Sequence, residues 1–324
     1  MTMIQYCCSL TLLLSSFLLV GCNGSDPVNG PNGGSNPNTE QHAGKYLFAA
    51  TGDGIFRSSD DGASWTEMDS GAGPKDFRCF GTQGNYIFAG SEGYGMFRSS
   101  NNGVSWDTTN AQGPATRIAV AMLQYGKRLY AAVPPWGLYA TTDAGNSWQY
   151  AGSGGFEVHS LASSSAGLFM GTSDNGVWWS TDSGGSWGHS GSGMDGSIVN
   201  GLAAEGSRVL AATSTNGLWR SLNGARVWEP VSSVAPSDAQ FSAFFDGAHA
   251  YVGTVYGVFV SSDTGSTWTY ATGLPSSTTY AFAANHGYVF AAAGYVYRSS
   301  DNGTTWQVCN NGLKGTPIYA FGVW

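Results

Sequence analysis

The phrase "STDSGGSW", residues 180–187, sets an acid among small turn-forming residues and ends on a large aromatic. It recurs through the chain as "SSDDGASW", "SSNNGVSW", "TTDAGNSW", "SLNGARVW", "SSDTGSTW" and "SSDNGTTW". The closing residues are Trp65, Trp106, Trp148, Trp187, Trp228, Trp268 and Trp306, at spacings of 41, 42, 39, 41, 40 and 38. A period near 40 in a glycine-rich chain is that of four-stranded propeller blades. Nine residues before each Trp stands an aromatic, from Phe56 to Tyr297, and ten before it an aliphatic residue. Eleven before it is Gly in every copy but the last, where Tyr295 stands.

Each repeat reads as four strands, for example "TYAFAAN", "GYVFAAA", "YVYRSS" and "TWQVCN" in the last copy. The acidic phrase is then the hairpin between strands 3 and 4. Its Asp60, Asn101, Asp143, Asp182, Asn223, Asp263 or Asp301 accepts hydrogen bonds from the turn's own amides. The Gly three residues before Trp takes the positive φ that a Cβ resists. A carboxylate repeated around a ring is a poor candidate for a single catalytic or metal site, so these acids read as turn-makers. No metal or other cofactor is expected.

At these residues the sequence resembles the Asp-box (BNR) repeat, S/T-x-D-x-G-x-x-W. Asn101 replaces the acid in the second copy. In the fifth, Asn223 replaces it, and Gly224 precedes Ala225 where Gly is usual, so that turn is expected to differ in shape. The resemblance implies an all-β, seven-bladed propeller of four-stranded antiparallel blades, with the boxes away from the working face. Families with this repeat include sialidases, xyloglucan-cleaving glycosidases, sortilin-type receptors and photosystem assembly and stability factors. The compact layout is most similar to the last group.

The first repeat lacks a strand 1, while a surplus strand, "PIYAFGVW", follows the last box. Its simplest use is to close the ring as the innermost strand of blade one, which removes two exposed sheet edges.

The remaining organisation follows from composition. Residues 1–21 have an apolar core too short for an ordinary membrane span and end in small residues. Leu19-Val20-Gly21-Cys22 resembles the lipobox of bacterial lipoproteins, although "MTMIQYCCS" lacks the usual Lys or Arg. The resemblance implies cleavage before Cys22, lipid on its thiol and an exported cell-envelope protein. Residues 22–42 read as a lipidated Cys with a Gly/Asn/Pro tether, and 43–324 as the propeller. Cys79 and Cys309 occupy different repeat positions and are expected to be free, buried thiols. A formal charge of −8 and the lack of a basic cluster argue against nucleic acid and against an anionic membrane surface as partners. Membrane contact is expected only through the lipid, and the propeller is expected to be monomeric.

A working site is expected on the face that carries the strand 2–3 turns and the crossovers between blades. The turns would display Tyr94, Trp136, Tyr256 and Tyr295 with Asp53, Glu92 and Asp174. The crossovers add Lys75, Asp76, Phe156, Glu157, Asp195 and Asp238. A variable strand-1 column near the axis reads Arg78, Ile118, His159, Asn200, Ser242, Tyr280 and Tyr319, followed by small residues such as Cys79, Ala119 and Ala243. A varied polar column beside a small one suggests a shallow pocket at the channel mouth.

Arg57, Arg98, Arg220 and Arg298 share one repeat column and read as scaffolding. Only Arg78 and Arg117 lie near the axis, one short of a sialidase arginine triad. The expected function is therefore non-catalytic binding or assembly, with a polypeptide or an envelope glycan as ligand. The alternative is a glycan-active enzyme, a glycoside hydrolase or lyase, drawing its carboxylates from Glu92, Asp174, Glu157 and Asp195.

Overall fold

The computed structural model describes residues 45–73, 76–109, 118–152, 155–234, 239–314 and 317–324. The signal segment, Cys22, the tether, Lys75, Arg117 and Asp238 lie outside these residues. The strands form seven four-stranded antiparallel sheets arranged as propeller blades. From blade one to blade seven the innermost strands are Ile318–Val323, Phe77–Gln83, Ala121–Tyr125, Val158–Ser164, Val199–Glu205, Gln240–Asp246 and Thr279–Asn285. Burial falls from axis to rim. The second strands, such as Leu47–Thr51, are buried on both faces, and outermost strands such as Thr66–Glu67 are exposed. Period-2 alternation is accordingly weak in the inner strands, because each sheet is packed on both sides.

The ring closes as expected. Ile318–Val323 pairs antiparallel with Leu47–Thr51, with Phe321 opposite Ala49. Tyr46 and Trp324 exchange backbone bonds of 2.6 and 2.9 Å beyond the ladder. Cys79 and Cys309 are buried thiols outside any disulfide, and burial pushes the Cys309 thiol up to about 12.

Blades are joined at the acidic turns. In blade four, Ser180 Oγ donates to Asp182 Oδ1 at 2.8 Å, and the Ser186 amide donates to the same oxygen at 2.8 Å. Bonds from the Ser186 side chain and backbone, then from Ser180, hold the Asp182 carboxyl at about 2. Such a lowered carboxyl stabilises the turn fully above its ordinary 3.8, and that support is lost as pH falls toward 2. Two consecutive residues then take positive φ, Ser183 at 57° and Gly184 at 78°.

The second of these residues faces the strand-2 side chain of the preceding blade. A Cβ on Gly103 would lie 2.6 Å from Phe48, on Gly145 2.9 Å from Phe88, and on Gly303 3.0 Å from Tyr251. At these three turns glycine is required by contact as well as by φ. Across the same boundaries Arg57 donates to the Asn102 carbonyl at 2.6 Å, Arg220 to Gly265 at 2.9 Å and Arg298 to Asp61 at 2.7 Å. The indoles of Trp65 and Trp106 reach the carbonyls of Cys309 and Met68 in the preceding blades, at 2.8 and 2.6 Å. The arginine column is scaffolding, as its spacing predicts.

The fifth turn corrects an expectation. It keeps the shape of the others: Gly224 and Ala225 have φ of 67° and 64°. Ala225 N donates to Ser221 Oγ at 3.0 Å, and Val227 N to Asn223 Oδ1 at 2.9 Å, the bonds made by the other turns. Only the order of glycine and non-glycine is exchanged. Ala225 fits because its fully buried methyl joins the core cluster of Phe169 and Val209, so packing offsets a left-handed penalty of about 1–2 kcal/mol.

Two predictions follow from this frame. Deleting residues 317–324 strips blade one of Ile318, Phe321 and Trp324, all buried. At about 2 kcal/mol each, the loss approaches the whole stability of a typical domain. The expected result in a denaturant titration is no cooperative transition. Gly103→Ala should cost about 3 kcal/mol from strain plus overpacking against Phe48. Gly265→Ala, whose nearest neighbouring-blade atom is Leu210 Cδ2 at 3.6 Å, should cost only about 1 kcal/mol; urea midpoints in the reverse order would contradict the contact.

Candidate functional site

A β-bulge near the start of the innermost strand sets the axial geometry. In blade two Phe77 pairs with Ser91 and Cys79 with Gly90, so Arg78 is skipped. His159, Asn200, Phe241 and Tyr319 are skipped in the same way. The following residue packs under the next blade: Cys79 Sγ reaches the Ala119 carbonyl at 3.2 Å, Ser160 Oγ that of Val199 at 2.7 Å, and Ser242 Oγ that of Thr279 at 2.9 Å.

These bonds correct two members of the axial column. In blade six the axial residue is Phe241, and Ser242 holds the small position. In blade three Ala119 is equivalent to Val199 and Thr279, so the axial residue is Val120 rather than Ile118. The column therefore reads Tyr319, Arg78, Val120, His159, Asn200, Phe241 and Tyr280, each six residues before the strand 1–2 hairpin where that hairpin exists.

Half of this ring is an aromatic and cationic arc. Phe241 meets Tyr280 edge-on at 5.7 Å, Tyr280 meets Tyr319 at 5.8 Å, and the Arg78 guanidinium lies 4.0 Å from the Tyr319 ring centroid. Arg78 is buried and forms ion pairs with both Asp76 and Glu92, carboxylates that remain about one-third exposed. Burial raises the Asp76 carboxyl above its usual range; Arg78 opposes this and Glu92 adds to it. Two acids thus converge on one cation.

Of the remaining three, Val120 is apolar and His159 and Asn200 are polar. His159 is buried, with Nε2 3.7 Å from Glu157. Burial lowers its pKa although Glu157 opposes this, so the imidazole is neutral at neutral pH. Asn200 donates to the Gln240 carbonyl at 2.7 Å, and its Oδ1 is buried without a hydrogen-bond partner.

The expected turn residues all lie at the strand 2–3 turns. Tyr94, Trp136, Tyr256 and Tyr295 are 60, 50, 56 and 53% exposed, far above any aromatic of the core. They occupy blades two, three, six and seven; Tyr94, Tyr256 and Tyr295 share blades with Arg78, Phe241 and Tyr280 of the arc, whereas Trp136 stands in blade three, whose axial residue is Val120. Blades four and five carry polar turns instead. Asp174 is exposed and accepts from Asn175 at 2.6 Å. Asp195 is not in a crossover: the outer strand of blade four extends over Gly188–Asp195, where Asp195 pairs with Asn175 beside Asp174. The structure therefore groups Glu92 with Arg78, Tyr319 and Tyr280, Glu157 with His159, and Asp174 with Asp195.

Sequence reading missed Asp76 as a partner of Arg78, and it missed a buried hydroxyl column at the end of strand 2. Thr51, Ser91, Thr172, Thr213 and Thr254 each donate to a carbonyl across the 2–3 turn, at 2.7 to 3.1 Å. The recurrence of Thr or Ser just before five of the seven variable turns was the available signal.

No protein-family model matches the sequence. A search of curated proteins finds no match either. Among solved structures, an ancestral GH74 enzyme superposes with a TM-score of 0.64 and 16% identity, over 90% of this chain and 47% of that one. The structure described as YCF48 bound to D1 peptide gives 0.60 and 14%, over 84% and 95%. The computationally designed Ika8 protein gives 0.59 and 13%, over 94% and 92%. The chain spans about half of the GH74 chain. At these identities the likeness is one of fold: a seven-bladed propeller.

Arg78→Met removes the one counter-charge that Asp76 and Glu92 share. It should destabilise the fold by about 2 kcal/mol, and adding Asp76→Asn to it should recover much of that loss. Equal melting of wild type and Arg78→Met would show that the ion pairs do not hold the mouth together.

Proposed function

We propose that the chain is a lipid-anchored, exported, non-catalytic binding or assembly propeller. Its ligand, a polypeptide or an envelope glycan, docks on the face opposite the acidic turns. The observation that carries this reading is the set of four exposed aromatics at the strand 2–3 turns, three of them in blades that supply the Phe241–Tyr280–Tyr319–Arg78 arc. Large rigid aromatics exposed together on one face suit recognition, whereas scattered ones need no explanation. A propeller of the same fold, YCF48, has been captured with a D1 peptide, which supports a polypeptide ligand. Cys22, with the tether after it, is the proposed anchor to the membrane.

One observation favours a second reading, a glycan-active enzyme. Asp76 and Glu92 meet at one arginine nitrogen, and paired carboxyls are the machinery of glycoside hydrolysis. Against it, both spend their charge on Arg78 rather than facing a cleft across a substrate.

Peptide and glycan arrays probed with the protein should yield a ligand whose binding is lost in Tyr94→Ala/Trp136→Ala while the melting temperature is unchanged. Release of reducing sugar from a polysaccharide, abolished by Glu92→Gln, would replace binding with catalysis.

A further inference from the structure

We infer that a cavity at the boundary of blades three and four is a second binding site, for a uronic acid, a sugar that carries a carboxylate. It lies on the side of the acidic turns, apart from the face proposed above. Its origin is visible in the repeat. In blades one, two and seven an arginine on the third strand bonds a carbonyl of the next blade's turn, and a tyrosine at or just before the start of the second strand lies against its guanidinium. The pairs are Tyr46 with Arg57, Tyr86 with Arg98 and Tyr288 with Arg298. In blade three Ala140 stands at the arginine's place, and Arg128 at that of Tyr86 and Tyr288. The carbonyl to be bonded, that of Ser183, accepts from the Tyr130 hydroxyl at 2.7 Å, whereas Arg128 reaches it only at 3.3 Å. One guanidinium is thus surplus to the scaffold, beside a cavity of about 140 Å³.

Charge and lining point to the ligand. Every other arginine among the described residues has a carboxylate or a ring beside it. Arg78, Arg208 and Arg220 form ion pairs, and Arg57, Arg98, Arg226 and Arg298 lie over aromatic rings. Arg128 has neither, and its exposed side chain lines the cavity. The rest of the wall is mostly polar, with Thr142, Ser147, Gln149 and Tyr150. Among the described residues the Thr142 and Gln149 side chains have no hydrogen-bond partner. A guanidinium fork matches a carboxylate in two parallel bonds, while the hydroxyl and amide around it match the hydroxyls of a sugar ring. An acidic peptide side chain would use Arg128 and leave that polar wall unpaired. Asp143 and Asp182 belong to the two turns that flank the site, and their charge opposes an anion. Both are engaged within their own turns, Asp143 by Thr141 and Ser147 and Asp182 by Ser180 and Ser186, and neither pairs with Arg128. One sugar ring against such a wall should bind at about 1 mM.

The test titrates the full chain with the methyl glycosides of glucuronic acid and of glucose, and with a blocked Gly-Glu-Gly peptide. The glucuronide should bind about tenfold more tightly than the glucoside, the share of one charge-assisted pair. Ala140→Arg should abolish that binding with the melting temperature unchanged or raised, because it fills the cavity with the side chain that Arg57, Arg98, Arg220 and Arg298 supply in four other blades. Arg128→Gln should bring the glucuronide down to the level of the glucoside, while the Tyr130 bond to Ser183 keeps the blade boundary closed. Gln149→Ala, on an exposed part of the outer strand, should weaken both sugars severalfold and replaces Ala140→Arg where that variant fails to fold. Equal binding of the glucoside overturns the carboxylate. Binding of the peptide without the glucuronide overturns the sugar. Glucuronide binding that ignores either Ala140→Arg or Arg128→Gln, or no binding at about 10 mM, overturns the site.

Discussion

The architecture depends on a contact between a left-handed turn residue and the strand-2 side chain of the blade before it. Phe48 under Gly103 and Phe88 under Gly145 leave no room for a Cβ, and the turn's serine and acid hold the backbone where that close approach is possible. Each turn thereby closes its own hairpin and sets the spacing to its neighbour. The arginine and indole bonds to backbone carbonyls act across the same boundary, so packing and hydrogen bonding cooperate in one place. The hydrophobic clusters accordingly lie between adjacent blades, not inside any one of them.

Ala225 shows which part of this contact is negotiable. A methyl is accepted where the cluster around Phe169 closes on it, and the turn then takes its glycine one residue earlier. The backbone path is therefore the invariant, and the residue at either left-handed position follows from what lies opposite.

Most of the fold was legible because the acidic turn ties several residue types to one geometry. Tryptophan, glycine and acid at fixed offsets identify the hairpin, and the surplus "PIYAFGVW" identifies the closure. The axial column was legible only in part. Counting from the small residues slips in blade three, where Ala119 and Ala121 both qualify, and in blade six, where Ser242 and Ala243 do. The bulge makes that slip invisible in the sequence, since it inserts a residue with no ladder partner. Counting back from the hairpin glycines, Gly126 and Gly247, would have reached Val120 and Phe241. Asp76 was visible as a crossover acid, but its pairing with Arg78 and Glu92 depends on three-dimensional convergence that no spacing encodes. The exposed aromatics were legible because the turns that carry them vary while their surroundings repeat.

The pairing of Ile318–Val323 with Leu47–Thr51 has a kinetic side. Six blades draw all their strands from contiguous sequence and can assemble from local contacts, whereas blade one must wait until two distant segments meet. Loop-closure entropy and high contact order make that meeting the slow event. Until it occurs, blade one is a three-stranded sheet with a bare inner edge, the form most open to proteases or to pairing with a strand of another molecule.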